Sequence, residues 1–124
     1  MSEARRLRGT ASRKAGRQAE VWAAAWLMLK GYRILGFRLQ TPQAEIDILA
    51  QKGPVLAVVE VKSRATLTAA LEAVGQDQRA RLRRAGRAVA ASRPRLAHIA
   101  IRLDLIAMSP GRLPHHIQDA WRGC

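Results

Sequence analysis

Acidic residues stand inside two apolar, strand-like stretches of a chain that is otherwise strongly basic. The first stretch, AEIDILAQ, carries Glu45 and Asp47, and the second, VLAVVEVKSR, carries Glu60 with Lys62 two positions further on. The whole chain has 9 acidic residues among 124. Burying a carboxylate is costly unless it is paired or holds a metal ion. Their placement therefore indicates a functional site.

The alternation of side chains along a strand decides which of these groups can meet. In the second stretch Glu60 and Lys62 are expected on the same face. In the first stretch Glu45, Asp47 and Leu49 are expected on one face, and the other face is expected to carry the apolar residues Ala44, Ile46, Ile48 and Ala50. The acids should thus gather on one side of a two-stranded hairpin.

The Gly-Pro pair between the stretches predicts the tight turn of that hairpin. With the turn centred on this pair, Asp47 lies opposite Glu60 and Glu45 opposite Lys62, with Cβ atoms about 4.5–5.5 Å apart. Two carboxylates so close repel each other unless one keeps its proton or a cation lies between them. Mg²⁺ or Mn²⁺ accepts such carboxylates together with a main-chain carbonyl, here that of Val61, and water. Lys62 could then hold the attacking water or stabilise charge on a phosphate, so the residues predict metal-assisted phosphodiester hydrolysis.

A purely structural explanation of the same residues is a salt-bridged trio at the end of a sheet. Glu45 could simply pair with Lys62 across the strands. Glu20, an acid in a predicted helix, could simply favour the helix dipole. Because three acids of the two strands share one basic partner, we favour a site.

The charge of the chain indicates a polyanionic partner. Lys and Arg total 22, which gives a net charge of +13. A nucleic acid is the expected partner, and a biased composition or an anionic lipid surface are the alternatives. The residues predicted to contact phosphate are Arg64, after the second strand, and Arg79, Arg83 and Arg87, which are spaced four apart on a predicted helix.

The remaining pattern predicts one α/β domain over residues 12–124, preceded by a flexible basic arm over residues 1–11. A first helix is expected from a cap at Ser12 to a stop at Gly31, and Gly75 is expected to break the helical region that follows the hairpin. The predicted order is α-β-β-β-α-β-β, with a mixed sheet of four to five strands, an antiparallel meander and a fourth strand that could run parallel to the third. No apolar run is long enough to span a membrane and no signal core follows the basic start, so a cytoplasmic protein is expected.

Other conspicuous side chains are assigned structural roles. Trp22, Trp26 and Trp121 are expected to fill the core. Asp104 is expected to pair with a neighbouring arginine or to support the sheet. No further ligand stands at a fixed spacing from the histidines, which favours capping or core roles over metal binding for His98, His115 and His116.

An acid in a first helix followed by E-I-D, a short turn and V-E-V-K resembles the PD-(D/E)XK nuclease superfamily, whose fold is restriction-endonuclease-like. The chain from about residue 16 to 121 resembles more narrowly the bacterial YraN-like family, small proteins predicted to have an endonuclease fold. The pieces that carry this resemblance are Gly16 with Ala19 and Glu20, KGYRIL from Lys30, EID from Glu45, VEVKSR from Val59, RLDLI from Arg102, and HI from His116 through Ala120 and Trp121.

The resemblance implies a role for each matching site residue. Asp47 and Glu60 would be metal ligands and Lys62 the catalytic lysine. Glu20 would complete the site and Glu45 would support it. The chain departs from the family pattern in two places: Ala44 stands where a glycine is usual, and Gln78 stands in the helix after V-E-V-K where a lysine is usual. A polar residue of that helix, Gln78 or Gln76, could assist instead.

The sequence therefore predicts a Mg²⁺- or Mn²⁺-dependent endonuclease acting on DNA, with branched or damaged DNA suggested by resemblance to archaeal Holliday-junction resolvases. Resolvases of that kind act as dimers because two cuts need two sites, so a C2 homodimer is compatible with this prediction. The alternative is a protein of the same fold that binds DNA or RNA without cutting it.

Overall fold

The structure, a computed structural model, describes the backbone of residues 3–122 and the side chains of residues 16–122. Its elements follow the predicted order, with the helical region after β3 divided into two helices. They are α1 (Glu3–Leu29), β1 (Arg33–Gln40), β2 (Glu45–Lys52), β3 (Val55–Ser63), α2 (Leu67–Glu72), α3 (Gln76–Ser92), a 3₁₀ turn (Pro94–Leu96), β4 (Ala100–Met108) and β5 (His115–Ile117).

The five strands form one mixed sheet in the order β1-β2-β3-β4-β5. β1, β2 and β3 are an antiparallel meander, β4 runs parallel to β3, and β5 returns antiparallel to β4. The parallel neighbour is possible because the α2–α3 segment crosses over between β3 and β4. The α/β class and the mixed five-stranded sheet with flanking helices are thereby confirmed, and they are consistent with a restriction-endonuclease-like core.

The end of α1 is set by Gly31, as the sequence predicts. Gly31 has φ of +93°, a conformation that glycine adopts without a steric penalty. The amide of Tyr32 donates to the carbonyl of Leu27, and that of Gly31 to the carbonyl of Met28, which is a Schellman ending. This ending turns the chain directly into β1.

The start of α1 differs from the prediction, because the helix begins at Glu3 and not at Ser12. The Arg- and Ala-rich segment before Ser12 favours helix and contains no proline, so nothing in it stops the helix. The side chains of residues 3–15 and the whole of residues 1, 2, 123 and 124 lie outside the described part. The division into an arm over residues 1–11 and a domain over 12–124 therefore stays a prediction.

Two apolar clusters cover the two faces of the sheet. Small side chains of α1, including Ala23 and Ala24 with Leu27, pack on one face, where β3 contributes Ala57 and Val59. The opposite face packs against α3 and includes Leu49, Leu56, Val58, Leu82, Ala85 and Trp121. Within the described residues, no helix has the length and apolar character needed to cross a bilayer.

The prediction that all three tryptophans fill the core is wrong for one of them. Trp121 is buried, whereas Trp22 is 66% exposed and Trp26 is half-buried. The buried stripe of α1 consists of Ala19, Ala23, Ala24 and Leu27. This stripe brings α1 close to the sheet and leaves Trp22 on the outer side.

Strict alternation also fails at the start of β2. Ile46 and Ala44 were expected beside Ile48, but both pack in the α3-side cluster with Leu49, while Ile48 lies in the α1-side cluster. Two residues three positions apart, Ile46 and Leu49, therefore share a face. The irregularity is centred on Asp47, whose side chain is thus re-aimed relative to a regular strand.

Candidate active site

The hairpin of β2 and β3 has the predicted register. The paired residues run from Lys52 opposite Val55 to Ile48 opposite Val59, and the ladder ends there. At the next position Asp47 Oδ2 accepts a hydrogen bond of 2.9 Å from the amide of Val61. The Asp47 side chain thus binds a β3 amide just beyond the point where backbone pairing of the two strands ends.

Glu60 is the most buried acid of this site, with 2% of its surface exposed. Burial and the adjacent Asp47 carboxylate raise its pKa to about 8, and Lys62 partly offsets the effect. Two polar neighbours face Glu60 Oε2: Gln78 Nε2 donates to it over 3.4 Å, and Lys62 Nζ lies 3.8 Å away. Without a cation, Glu60 therefore holds its proton to a higher pH than an ordinary glutamate does.

The pKa of Asp47 is also raised, chiefly by burial. The Val61 amide opposes this shift by stabilising the charged form, and Lys62 opposes it electrostatically. Glu20 and Glu45 add to the rise. Because the pKa values of both neighbouring carboxyls are raised, their surroundings hold too little positive charge to stabilise the ionised forms. A bound divalent cation would supply that charge.

The donor set of the site fits a hard cation. Carboxylate oxygens of Asp47 and Glu60, with the main-chain carbonyl of Val61, are of the class that Mg²⁺ and Mn²⁺ prefer. Within the described chain, no group of three or more His, Cys, Asp or Glu side chains is arranged to hold a metal ion. The fit thus rests on two carboxylates, with water filling the other positions.

Glu20 and Glu45 lie at the margins of the site. Arg38 Nε donates to Glu20 Oε2 over 2.7 Å, so Glu20 already has a cationic partner. Arg38 itself lies in β1 with φ of +46°, an uncommon conformation for a residue other than glycine. Glu45 is exposed at the start of β2. The structure therefore brings Asp47, Glu60 and Lys62 together and leaves the other two acids around them.

Two cavities share Asp47 and Lys62 and together form a cleft at the start of β2 and the end of β3, with α1 on one side and α3 on the other. The cavity on the α1 side has a volume of about 370 Å³ and is also lined by Gly16, Ala19, Glu20, Val61, Ser63 and Arg64. The cavity on the α3 side has a volume of about 290 Å³ and is also lined by Ala44, Glu45, Glu60, Gln78 and Arg81. We call this the cleft.

The arginines of α3 are arranged differently from the predicted stripe. The guanidinium of Arg79 lies over the Trp121 ring, 5.6 Å from its centroid, and its Nε is buried without an acceptor among the described residues. Arg83 is half-buried and Arg87 is exposed. Arg81, which the sequence analysis did not select, is the arginine of α3 that lines the cleft. Its position three residues after Gln78, one helical turn, was the available signal.

A second polar cluster lies in β4 and β5, and it confirms the structural role predicted for Asp104. Asp104 is fully buried and accepts hydrogen bonds from Arg102, at 2.8 and 2.9 Å, from His116 Nε2 at 2.8 Å, and from the amide of Asp119 at 3.0 Å. Burial acts to raise its pKa, but the hydrogen bonds from His116 and Arg102 outweigh burial and lower it. His98 and His115 are exposed.

Comparison with known proteins places this fold and site in a family. The profile of the family described as "Uncharacterised protein family UPF0102" matches residues 19–108, which include every residue of the cleft after Gly16. A UPF0102 protein of Caulobacter vibrioides strain NA1000 is 65% identical over 119 residues, covering 96% of this chain and 95% of its own. One from Paramagnetospirillum magneticum is 47% identical over 116 residues, covering 90% of each chain. The chain belongs to the UPF0102 family, which is the YraN-like family of the sequence analysis.

Proposed function

We propose that this protein is a Mg²⁺- or Mn²⁺-dependent endonuclease that hydrolyses phosphodiester bonds of DNA, including branched or damaged DNA. The observation that supports this most is the pair of adjacent carboxyls: burial and the neighbouring Asp47 raise the pKa of Glu60 to about 8, and Lys62 Nζ lies 3.8 Å from Glu60. A structural ion pair gains nothing from a second carboxylate at that position, whereas a cation site does.

The residues of the cleft divide the work of hydrolysis between them. Asp47, Glu60 and the Val61 carbonyl would hold the metal ion, which would supply Lewis-acid activation of the phosphate and acidify a bound water. Lys62 can position the attacking water and stabilise negative charge that grows on the phosphate. The Val61 amide fixes Asp47 in place. Gln78 holds Glu60 from the α3 side and keeps its carboxylate directed into the cleft.

Positive charge around the cleft supports a nucleic acid as the substrate. Arg64 lines the α1 side and Arg81 the α3 side, so a phosphate backbone entering the cleft meets a cation at both walls. Arg83 and Arg87 extend the positive charge along α3. The net charge of +13 adds long-range attraction. DNA is proposed over RNA because the E-I-D and V-E-V-K motifs resemble those of DNA nucleases, and the proposal includes a cytoplasmic location.

A panel of labelled substrates tests the proposal. Linear duplex, single-stranded, flapped and four-way DNA, with matched RNA, should be incubated with Mg²⁺, Mn²⁺ or EDTA. We expect divalent-dependent cleavage of at least one DNA structure, and a loss of roughly a hundredfold or more for Lys62→Ala and Asp47→Ala. Arg95→Ala is the matched control for the lost positive charge, because Arg95 is exposed by the β2–β3 turn at the opposite end of these strands.

Two results would contradict the nuclease proposal. One is DNA that is bound but never cut under any of the divalent conditions. The other is cleavage that Lys62→Ala leaves at the level of Arg95→Ala, since a contaminating nuclease would give that result. Equal folding of the variants is checked by circular dichroism.

A second candidate function is nucleic-acid binding without cleavage. The Glu20–Arg38 ion pair favours it, because the acid that would complete the metal site already has a partner in the fold. This alternative predicts salt-sensitive binding of DNA or RNA that Asp47→Ala leaves unchanged. It also predicts no heat of Mg²⁺ binding in calorimetry. A measurable Mg²⁺ affinity that Glu60→Ala abolishes would exclude it.

A homodimer is part of the nuclease proposal, because cutting two strands needs two sites. Exposed apolar side chains on α1, namely Val21, Trp22, Met28 and Leu29, are available for contact with a second copy. Sedimentation at increasing concentration should show a dimer that Trp22→Ser weakens. A chain that stays monomeric at high concentration would contradict this part alone.

A further inference from the structure

A cavity apart from the cleft is lined by residues of α1, the β3–α2 connection and the β4–β5 loop. It has a volume of about 790 Å³, within the range of small-molecule sites. Its walls come from the end of α1 with Trp26 and Lys30, the β3–α2 connection with Thr66, and the β4–β5 loop with Arg112 and Leu113. The cleft is lined by none of these residues.

A chain of hydrogen bonds forms the polar wall of this cavity. His116 Nε2 lies 2.8 Å from the buried Asp104 carboxylate, so this nitrogen carries the proton. His116 Nδ1 is then an acceptor, and the Lys30 ammonium donates to it. Asp104, being held by Arg102 as well, fixes the imidazole, and the imidazole fixes Lys30 at the cavity. The ammonium is therefore preorganised.

The charge of the cavity favours an anion. Lys30 and Arg112 are its cationic residues, and none of the described residues that line it is acidic. Asp104, whose charge acts on Lys30, is already paired with Arg102. Burial and the nearby Lys52 lower the pKa of Lys30, the direction expected for a cation that lacks a full counter-charge. An anionic group bound at Lys30 would supply the missing counter-charge.

The rest of the wall favours a flat apolar group next to that anion. Trp26 is half-buried and lines the cavity, and Leu67, Leu113 and Pro114 are the other large apolar residues there. Leu113 is an exposed apolar side chain on the loop at the cavity mouth. An anionic group joined to a flat ring is the chemistry of a nucleoside phosphate, whose base can stack on an indole.

Consecutive residues of the chain line the cleft and this cavity. Ser63 and Arg64 line the cleft, and the next residues, Ala65 and Thr66, line the cavity. Two hydrogen bonds fix this connection to the end of β4: the Arg64 amide to the Met108 carbonyl, at 3.0 Å, and Ser109 Oγ to the Arg64 carbonyl, at 2.8 Å. From Lys62 to Ala65 the chain spans at most about 11 Å. This upper limit is roughly the length of three nucleotides of a stacked strand at about 3.4 Å each.

We propose that this cavity binds one nucleoside phosphate, with the phosphate at Lys30 and Arg112 and the base against Trp26. Its source, which rests on the proposed nuclease function, is an unpaired nucleotide of the strand in the cleft. A base held in a duplex cannot enter the cavity, so the cavity would direct the protein to substrates with unpaired nucleotides near the cut.

Binding measured without cleavage tests this inference. The Asp47→Ala protein in EDTA is titrated with thymidine 5′-monophosphate and inorganic phosphate by calorimetry, and with labelled oligothymidylate and a blunt duplex by anisotropy. Trp26→Leu and Arg112→Gln, each added to that background, should weaken the mononucleotide and the single strand roughly tenfold. The matched charge control Arg95→Gln should leave the mononucleotide unchanged. Because Lys30 also contacts His116, the binding result for Lys30→Gln is interpreted only if the circular dichroism of this variant matches that of the parent.

Each outcome decides between the sources or against the site. Binding of both the mononucleotide and the single strand, in competition with each other, supports the strand as the source. Binding of the mononucleotide alone supports the site with a free nucleotide as its ligand. Inorganic phosphate that binds as tightly as the mononucleotide overturns the inference, as do Trp26→Leu and Arg112→Gln effects no larger than that of Arg95→Gln. Cleavage of DNA by the otherwise unchanged Trp26→Leu protein would keep the nuclease proposal even if the cavity fails.

Discussion

Replacing Glu60 by glutamine should stabilise the metal-free protein at neutral and alkaline pH. Glu60 is 2% exposed, and burial beside Asp47 raises its pKa from 4.5 to about 8. The folded state therefore favours the neutral carboxyl, and the full stability contributed by this group is present below about pH 4.5. That stability is lost as the pH rises toward and through 8. Glutamine keeps the shape and hydrogen-bonding capacity of the side chain but cannot ionise.

The magnitude follows from the difference between the two pKa values. At about 1.36 kcal/mol per pKa unit, ionising Glu60 in the folded state costs an upper limit of about 3 kcal/mol at pH 7 and about 4–5 kcal/mol well above pH 8. Asp47 acts in the same direction, because its pKa is also raised. Removing one of the two charges also removes their mutual repulsion.

Urea unfolding in EDTA at pH 5, 6, 7 and 8 measures the effect. The free energy of unfolding of Glu60→Gln relative to the parent should rise by about 1–3 kcal/mol between pH 5 and pH 8. The control is Glu72→Gln, since Glu72 is exposed in α2. Added Mg²⁺ should stabilise the parent and leave Glu60→Gln unchanged, because a ligand that binds only the folded state adds to its stability. A difference that stays constant with pH, or a variant less stable than the parent at pH 8, would refute the electrostatic reasoning.

Three further substitutions test how the fold supports the site. Asp104→Asn should lower the free energy of unfolding by about 3–5 kcal/mol, because it leaves the half-buried Arg102 and the buried His116 ring without their anionic partner. Gly86→Ala should cost about 1–3 kcal/mol, since a Cβ there would lie 2.6 Å from a methyl carbon of Val58. Trp121→Ala should cost about 3–5 kcal/mol, as it empties a buried position beneath Arg79. Urea unfolding at pH 7 measures all three.

Matched substitutions show whether those losses have the stated causes. Asp119→Asn removes an acid whose exposed partner is Arg122, and it should change the free energy of unfolding by no more than about 1 kcal/mol. Gly36→Ala should be milder than Gly86→Ala, because no heavy atom lies within 4 Å of the position of its Cβ. If either control costs as much as its partner, the local explanation fails.

Much of the fold could be predicted because its signals are local. Gly31 ends α1, Gly75 separates α2 from α3, and the Gly-Pro turn fixes the β2–β3 register as far as Ile48 and Val59. A two-residue turn leaves little freedom in register, and a glycine at positive φ leaves little doubt about a helix end. Asp47 and Glu60 are the next residues beyond those pairs, so the same hairpin places them near each other.

Interactions between segments far apart in the sequence decided the side-chain placements that local signals did not predict. Alternation placed Ile46 with Ile48, but the end of the ladder at Asp47 moves Ile46 to the α3 side. Helical spacing placed Trp22 in the core, but small alanines pack there instead. Spacing on α3 favoured Arg79, which lies over Trp121, whereas Arg81 lines the cleft. Each outcome depends on which neighbouring element is nearest, and periodicity within one segment contains no such information.

The sequence by itself determined which acids meet and which lysine lies beside them, because a short hairpin converts spacing along the chain into spacing across strands. Only the tertiary structure decided how those acids behave. The raised pKa of Glu60 comes from burial beneath the surrounding elements, and the pairing of Glu20 with Arg38 joins α1 to β1. The link from Lys30 through His116 to Asp104 likewise joins residues from three separate elements or their ends. Burial and pairing over such separations are properties of packed elements, so they exist only once the chain has folded.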